Sequence, residues 1–138
     1  MNDIHYKMDC AGVDWEALRQ ILIEDDFDNH RTPRQYQISF ENSAVVVFAL
    51  AGEQIIGTVR VLSDGVCNAY MVDLWTYTPY RKQGIASRMI QIALEQLPGQ
   101  HVYLQTDDAV GLYEKLGFQK QPEGMSLVVG EWLQNTTR

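Results

Sequence analysis

The spacing of apolar residues changes several times along the chain, and each change marks a predicted element. "IHYKM" (4–8) reads as a short first strand. In "DWEALRQILIEDD" (14–26), Trp15, Leu18, Ile21 and Leu22 recur at helical spacing and predict an amphipathic helix. A second helix is announced by polar residues, with Thr32 as N-cap, Pro33 as first helical residue and Gln35 as capping-box partner. "AVVVFAL" (44–50) and "QIIGTVRVL" (54–62) are β-rich runs joined through Ala51-Gly52-Glu53, which predicts a hairpin. "SDGVCN" (63–68) is a second turn, leading to "AYMVDLWTY" (69–77) as the third strand of a meander. From Gln83 to Leu97 the period is helical again. Ile85, Ala86, Met89, Ile90, Ala93 and Leu97 form one stripe, while Arg88, Gln91 and Glu95 face away, and Pro98-Gly99 ends the run. "HVYLQT" (101–106) predicts a strand and "DDAVGLYEKLGF" (107–118) a short helix. Asp107 or Asp108 is expected to cap that helix, Lys115 to favour its negative end and Gly117 to supply a left-handed stop. "MSLVVGEWL" (125–133) is expected as a last strand. Strands mixed with helices in this order predict an α/β or α+β fold, with a parallel pair flanking the 83–97 helix.

Composition acts mainly by exclusion. The 138 residues are expected to form one domain, 1–138, with ordinary apolar (46%) and charged (21%) content and therefore a real core. No apolar run approaches the roughly 20 residues that span a bilayer. "MNDIHYKMDC" lacks the basic-then-apolar layout of a signal peptide, so a cytoplasmic protein without a membrane partner is expected. Cys10 and Cys67 stand apart from each other and from histidine pairs, which suggests neither a disulfide framework nor a zinc site. A net charge of -7 argues against nucleic acid, whose phosphates demand a basic face.

Against that acidic background "TPYRKQGIASRM" (78–89) is an anomaly, because it carries Arg81, Lys82 and Arg88 and no acid. It sits where a helix begins. A helix N-terminus offers unsatisfied N–H groups and about half a positive charge, so it binds phosphate if the backbone can come close. Gly84 and Ala86 lack bulk, leaving the amides of residues 82–87 approachable. The alternative is a solvated basic helix start after a proline turn. Neither GxxxxGK[ST] nor GxGxxG is present.

"RKQGIA" (81–86) resembles the R/Q-x-x-G-x-G/A signature of the GNAT superfamily, the acetyl-CoA-dependent N-acetyltransferases. "DLWTYTPYRKQGIA" is similar to that family's strand-to-helix passage, and "AVGLYEKLGF" (109–118) to its second motif; the likeness covers residues 44 to 130. The resemblance implies a mixed, mostly antiparallel central sheet with a splayed parallel pair, flanked by about four helices. It implies acetyl-CoA as cosubstrate and no metal. The backbone of Trp75, Thr76 and Tyr77 would pair with the pantetheine arm. Arg81 and the amides of Lys82, Gln83, Gly84, Ile85, Ala86 and Ser87 would hold the diphosphate. Tyr77 stands where a small aliphatic residue is usual. Thr106 occupies the place of a customary asparagine, seven residues before Tyr113.

The chemistry then sets demands. An amine with a pKa near 10.4 is unprotonated in about one molecule in a thousand at neutral pH, a handicap of roughly 4 kcal/mol. The departing thiolate gains from a proton donor, for which the motif offers Tyr113; the other reading of this residue is a core tyrosine with its hydroxyl at the rim. Asp73, two residues before Trp75, is either the base or a buried carboxylate holding a neighbouring loop. His101 is expected at the rim of a strand. For the acceptor, "EDDFD" (24–28) gathers negative charge where it opposes the dipole of the first helix. By resemblance that segment borders the acceptor pocket, so Asp25, Asp26, Phe27 and Asp28 would favour a small cationic amine; a solvated acidic loop is the alternative. Trp15, Phe27, Tyr36 and Phe40 either line the pocket or belong to the core. The expected reaction is direct attack in a ternary complex. Protein N-α or lysine acetylation, another short acyl group, and a non-catalytic acyl-CoA-binding regulatory module are the competing functions. A homodimer is left open by the resemblance.

Overall fold

A computed structural model describes residues 3–134, arranged as two units, one running up to Leu104 and the other starting at Gln105. The first unit holds β1 (Ile4–Lys7), α1 (Trp15–Glu24), α2 (Pro33–Glu41), β2 (Val45–Ala51), β3 (Gln54–Ser63), β4 (Asn68–Thr76), α3 (Ile85–Glu95) and β5 (His101–Tyr103). Its sheet runs in the order β1-β2-β3-β4-β5, antiparallel throughout except for the parallel β4–β5 pair. This is the mixed, mostly antiparallel α+β architecture expected from the sequence, with four α-helices among the described residues once α4 (Val110–Lys115) of the second unit is included.

Alternation along the strands divides the core between two faces. Val46, Phe48 and Trp75 pack with Leu18, Ile21 and Leu22 of α1 and with Tyr36 and Phe40 of α2. Trp15 joins this layer, its ring centroid 5.7 Å from that of Phe40 and 6.3 Å from that of Phe48. Tyr36 and Phe40 are therefore core residues and half-buried Trp15 packs against them, while Phe27 stays at the surface. The opposite face carries α3, which packs on β2, β3 and β4. There the helix comes so close that a Cβ on Gly57 would lie 2.9 Å from Met89 Cε.

The predicted α2 start is present in full: Thr32 accepts from the Gln35 backbone and the Gln35 side chain accepts from the Thr32 backbone. Several boundaries differ from expectation. The 83–97 helix begins at Ile85, because Gly84 sits in a left-handed conformation as its N-cap. The 101–106 strand contracts to three residues. In the second unit neither Asp107 nor Asp108 caps α4: its N-cap residue is Ala109 and no side chain caps the helix, while Thr106 Oγ1 accepts from the Ala109 N–H at 3.0 Å just ahead of it. Gly117 is left-handed, as expected. The strand predicted over 125–133 does not form among the described residues, and Met125, Leu127 and Val129 are largely exposed. An apolar run becomes a strand only when a neighbouring strand takes up its backbone groups, and periodicity cannot supply that neighbour. No helix among the described residues is long and apolar enough to cross a membrane.

Candidate active site

The end of β4 is irregular in a way that opens the sheet. Between the pairs Thr58↔Trp75 and Arg60↔Val72, β3 contributes one residue, Val59, and β4 two, Asp73 and Leu74. Asp73 takes a left-handed conformation with φ of 59°, which a short polar residue tolerates better than most. The bulge is fastened by Thr58, whose Oγ1 donates to the Asp73 carbonyl at 2.8 Å. Bulges bend and twist the strand that carries them. On the other side of β4, pairing with β5 ends at Tyr70↔Tyr103, so residues 71–76 have no parallel partner among the described residues. The Tyr77 N–H donates to the Ile56 carbonyl at 2.8 Å. Since successive backbone groups alternate in direction, the Thr76 N–H turns away from β3, toward the side that β5 has left.

The Asp73 carboxylate is engaged at both oxygens. Oδ1 accepts from Arg31 Nη2 at 2.9 Å and Oδ2 from Arg60 Nε at 2.5 Å. Arg31 is nearly buried, bonds Asn29 through Nε at 2.8 Å and lies over the Tyr36 ring. Of the two readings of Asp73, a free base and a carboxylate that holds a loop, this geometry has the features of the second. It joins the start of α2 to β3 and β4. Neither arginine was singled out from the sequence. The signal was present in Arg60, a lone cation inside the apolar run "QIIGTVRVL", which requires a buried partner.

Beyond Thr76 the chain makes a 3-10 turn, Thr78–Tyr80, runs extended through Arg81 and then turns left-handed twice. Lys82 has φ of 63° and Gly84 of 79°. No side chain caps α3 at Gly84, so the Ile85, Ala86 and Ser87 amides lie in a first turn that lacks partners within the helix. The unpartnered N–H groups of a helix start suit an anion where the backbone can be approached. Arg81, Lys82, Gln83 and Gly84 are exposed, and open space surrounds a Cβ built on Gly84. The half-exposed Arg81 side chain folds back, its Nε donating to the Thr76 carbonyl at 2.9 Å. Trp75, Tyr77 and Tyr80 form an aromatic row along the turn, with centroids 6.1 and 6.3 Å apart.

The acidic segment does not act as one patch. Asp25 is the C-cap of α1, and its side chain turns inward to Trp75, Thr78 and Arg81. Burial alone would raise its pKa, but the hydrogen bonds from Thr78 and Trp75, with the Arg81 charge, outweigh this and hold it below its ordinary value. Asp25, expected to face an acceptor, thus has its side chain engaged by Trp75 Nε1, the Thr78 N–H and Arg81. Asp26, left-handed at φ of 57°, and Phe27 remain exposed. Asp28 accepts from the His30 N–H at 3.2 Å.

In the second unit Tyr113 is buried and meets Phe118 edge-on at 5.5 Å. Burial, and to a lesser extent the charge of Asp108, push its pKa up to about 12. The Thr106 hydroxyl oxygen accepts from the Ala109 N–H. His101 is exposed and packs on Tyr103 at 4.1 Å. Among the described residues there is no cluster of three or more His, Cys, Asp or Glu fit to hold a metal ion.

Comparison with known proteins bears on this arrangement. A family model described as the Acetyltransferase (GNAT) family matches residues 15–118. An uncharacterized N-acetyltransferase of Pyropia yezoensis, ycf52, is 26% identical over 103 residues, which cover 69% of this chain. The match spans 59% of the length of that relative. A GNAT family acetyltransferase structure from Streptococcus pneumoniae is 25% identical with a TM-score of 0.78, covering 94% of this chain and all of the other. A structure from Deinococcus radiodurans is 28% identical with a TM-score of 0.78, covering 91% of this chain and 88% of the other.

Proposed function

Because the chain belongs to the GNAT acetyltransferase family, we propose that it transfers an acetyl group from acetyl-CoA to a primary amine on a small acceptor, by direct attack in a ternary complex. The observation that carries this reading is the turn after β4. Left-handed Lys82 and Gly84 lead into an uncapped helix, beside a strand end that has lost its parallel neighbour.

The residues present fit a CoA group. The amides of residues 82–87 suit a diphosphate, and the outward Thr76 N–H suits a carbonyl. When bound, acetyl-CoA supplies an activated thioester. The Thr76 N–H is aimed to stabilise negative charge on the thioester oxygen, as preorganised donors do. Tyr113 is assigned the proton that the departing sulfur requires, on the motif that places it. With a pKa near 12 it holds that proton throughout the neutral range. Asp73, held by two guanidiniums, is assigned to positioning β4 and not to proton removal; the ammonium proton passes to water. Asp26, Phe27 and Asp28 border the acceptor and favour a cationic amine.

Calorimetry with CoA and with pantetheine, which lacks the phosphates, tests the reading directly. CoA is expected to bind at least about tenfold more tightly, as charge-assisted contacts to several amides require. Equal affinities would overturn the assignment. Release of free CoA in the presence of a panel of amines then identifies the acceptor class.

A further inference from the structure

One carboxylate oxygen joins the acceptor-side segment to the turn proposed to take the diphosphate. Asp25 Oδ2 accepts from Trp75 Nε1 at 2.9 Å, from the Thr78 N–H at 3.1 Å and from Arg81 Nη2 at 3.4 Å. Its side chain is only 8% exposed. Thr78 is the first residue of the 3-10 turn, and Tyr77 before it provides no side-chain cap. Asp25, more than fifty residues upstream, caps that turn from another element. The same carboxylate steers Arg81, whose Nε is fastened to the Thr76 carbonyl at 2.9 Å.

We infer that Asp25 is a positioning residue for the CoA diphosphate: from the end of α1 it holds the Thr78–Gly84 turn and the Arg81 side chain in the shape that converges the amides of residues 82–87. The inference rests on the phosphate reading of that turn. Its physical basis is the left-handed Lys82, a conformation that persists only where the surroundings hold it. Three donors on one buried oxygen provide that hold, and they do so at the strand end, the turn and the basic side chain together.

Two roles for Asp25 predict opposite signs. As a bare negative charge beside Arg81 it would oppose an anion, and removing it would tighten CoA binding. As a positioning residue its removal weakens CoA binding. Calorimetry of CoA and of pantetheine with wild type, Asp25→Asn and Asp25→Ala separates the two. The Ala variant is expected to bind CoA about tenfold more weakly while pantetheine changes by less than about twofold. Asn keeps an oxygen for Trp75 and Thr78 and should fall between. Unchanged or tighter CoA binding overturns the inference, and so does an equal loss for both ligands, which would mark a purely structural residue. If the Ala variant does not fold, the isosteric Asn variant decides by the same comparison. A wild type that binds CoA and pantetheine equally is a distinct result, overturning the phosphate reading before any variant is made.

Discussion

Tyr113 shows how far a single side chain can be argued. Its phenol is buried, with a pKa pushed up to about 12, so it is a poor base and a well-retained acid. Tyr113→Phe keeps the ring against Phe118 and removes one oxygen. As proton donor its loss should lower kcat by about 10² while the KM for acetyl-CoA stays near wild type. A core role alone predicts an unchanged kcat and a stability loss near 1 kcal/mol. Because the raised pKa lies above the working range, the wild-type rate should rise with amine deprotonation and show no falling limb up to about pH 10. Stability follows the opposite course in alkali. The folded pKa exceeds the unfolded value of about 10, so the contribution is complete below pH 10 and is lost as pH climbs through 12, on the order of 2 kcal/mol in all. Melting curves from pH 9 to 12 should slope less in Tyr113→Phe.

At the scale of elements, the start of α3 determines what the turn can hold. Gly84 is left-handed and its missing Cβ would point into open space, so a side chain there meets no protein atom and would stand in the way only of the proposed diphosphate. Asn and Asp both tolerate this conformation better than most residues, which makes them a matched pair. Gly84→Asn should weaken CoA binding through bulk, and Gly84→Asp should weaken it by at least about a further tenfold through charge repulsion. Equal affinities of the two variants would mean that no phosphate lies near this turn. The other helix starts differ in how legible they were. The Thr32–Gln35 box of α2 follows from four consecutive positions, whereas α4 takes no side-chain cap although Thr106, Asp107 and Asp108 precede it, an outcome that composition does not decide.

At the scale of the whole molecule, charge is divided by the fold. In a chain of net charge -7, the basic turn lies at one end of β4, and Asp26 and Asp28 lie on the segment between α1 and α2. Asp26→Asn with Asp28→Asn should raise the acceptor KM and leave that for acetyl-CoA unchanged, and salt should reproduce the effect, since exposed charges are screened within about 8 Å at physiological ionic strength. An acceptor KM indifferent to both changes would leave the segment as solvated loop. The sequence by itself determined the helix stripes, the meander, the capping box of α2, and the glycine and basic residues of the turn, because each is chemistry within one strand or one helical turn. Tertiary structure alone decided what Asp25, Arg31, Arg60 and Asp73 do. Arg31 meets Asp73 across 42 residues and Asp25 meets Trp75 across 50, so no local pattern distinguishes a clamped carboxylate in "EDDFD" from a solvated one. It also decided against a strand at 125–133 among the described residues, since a strand exists only where another edge receives it.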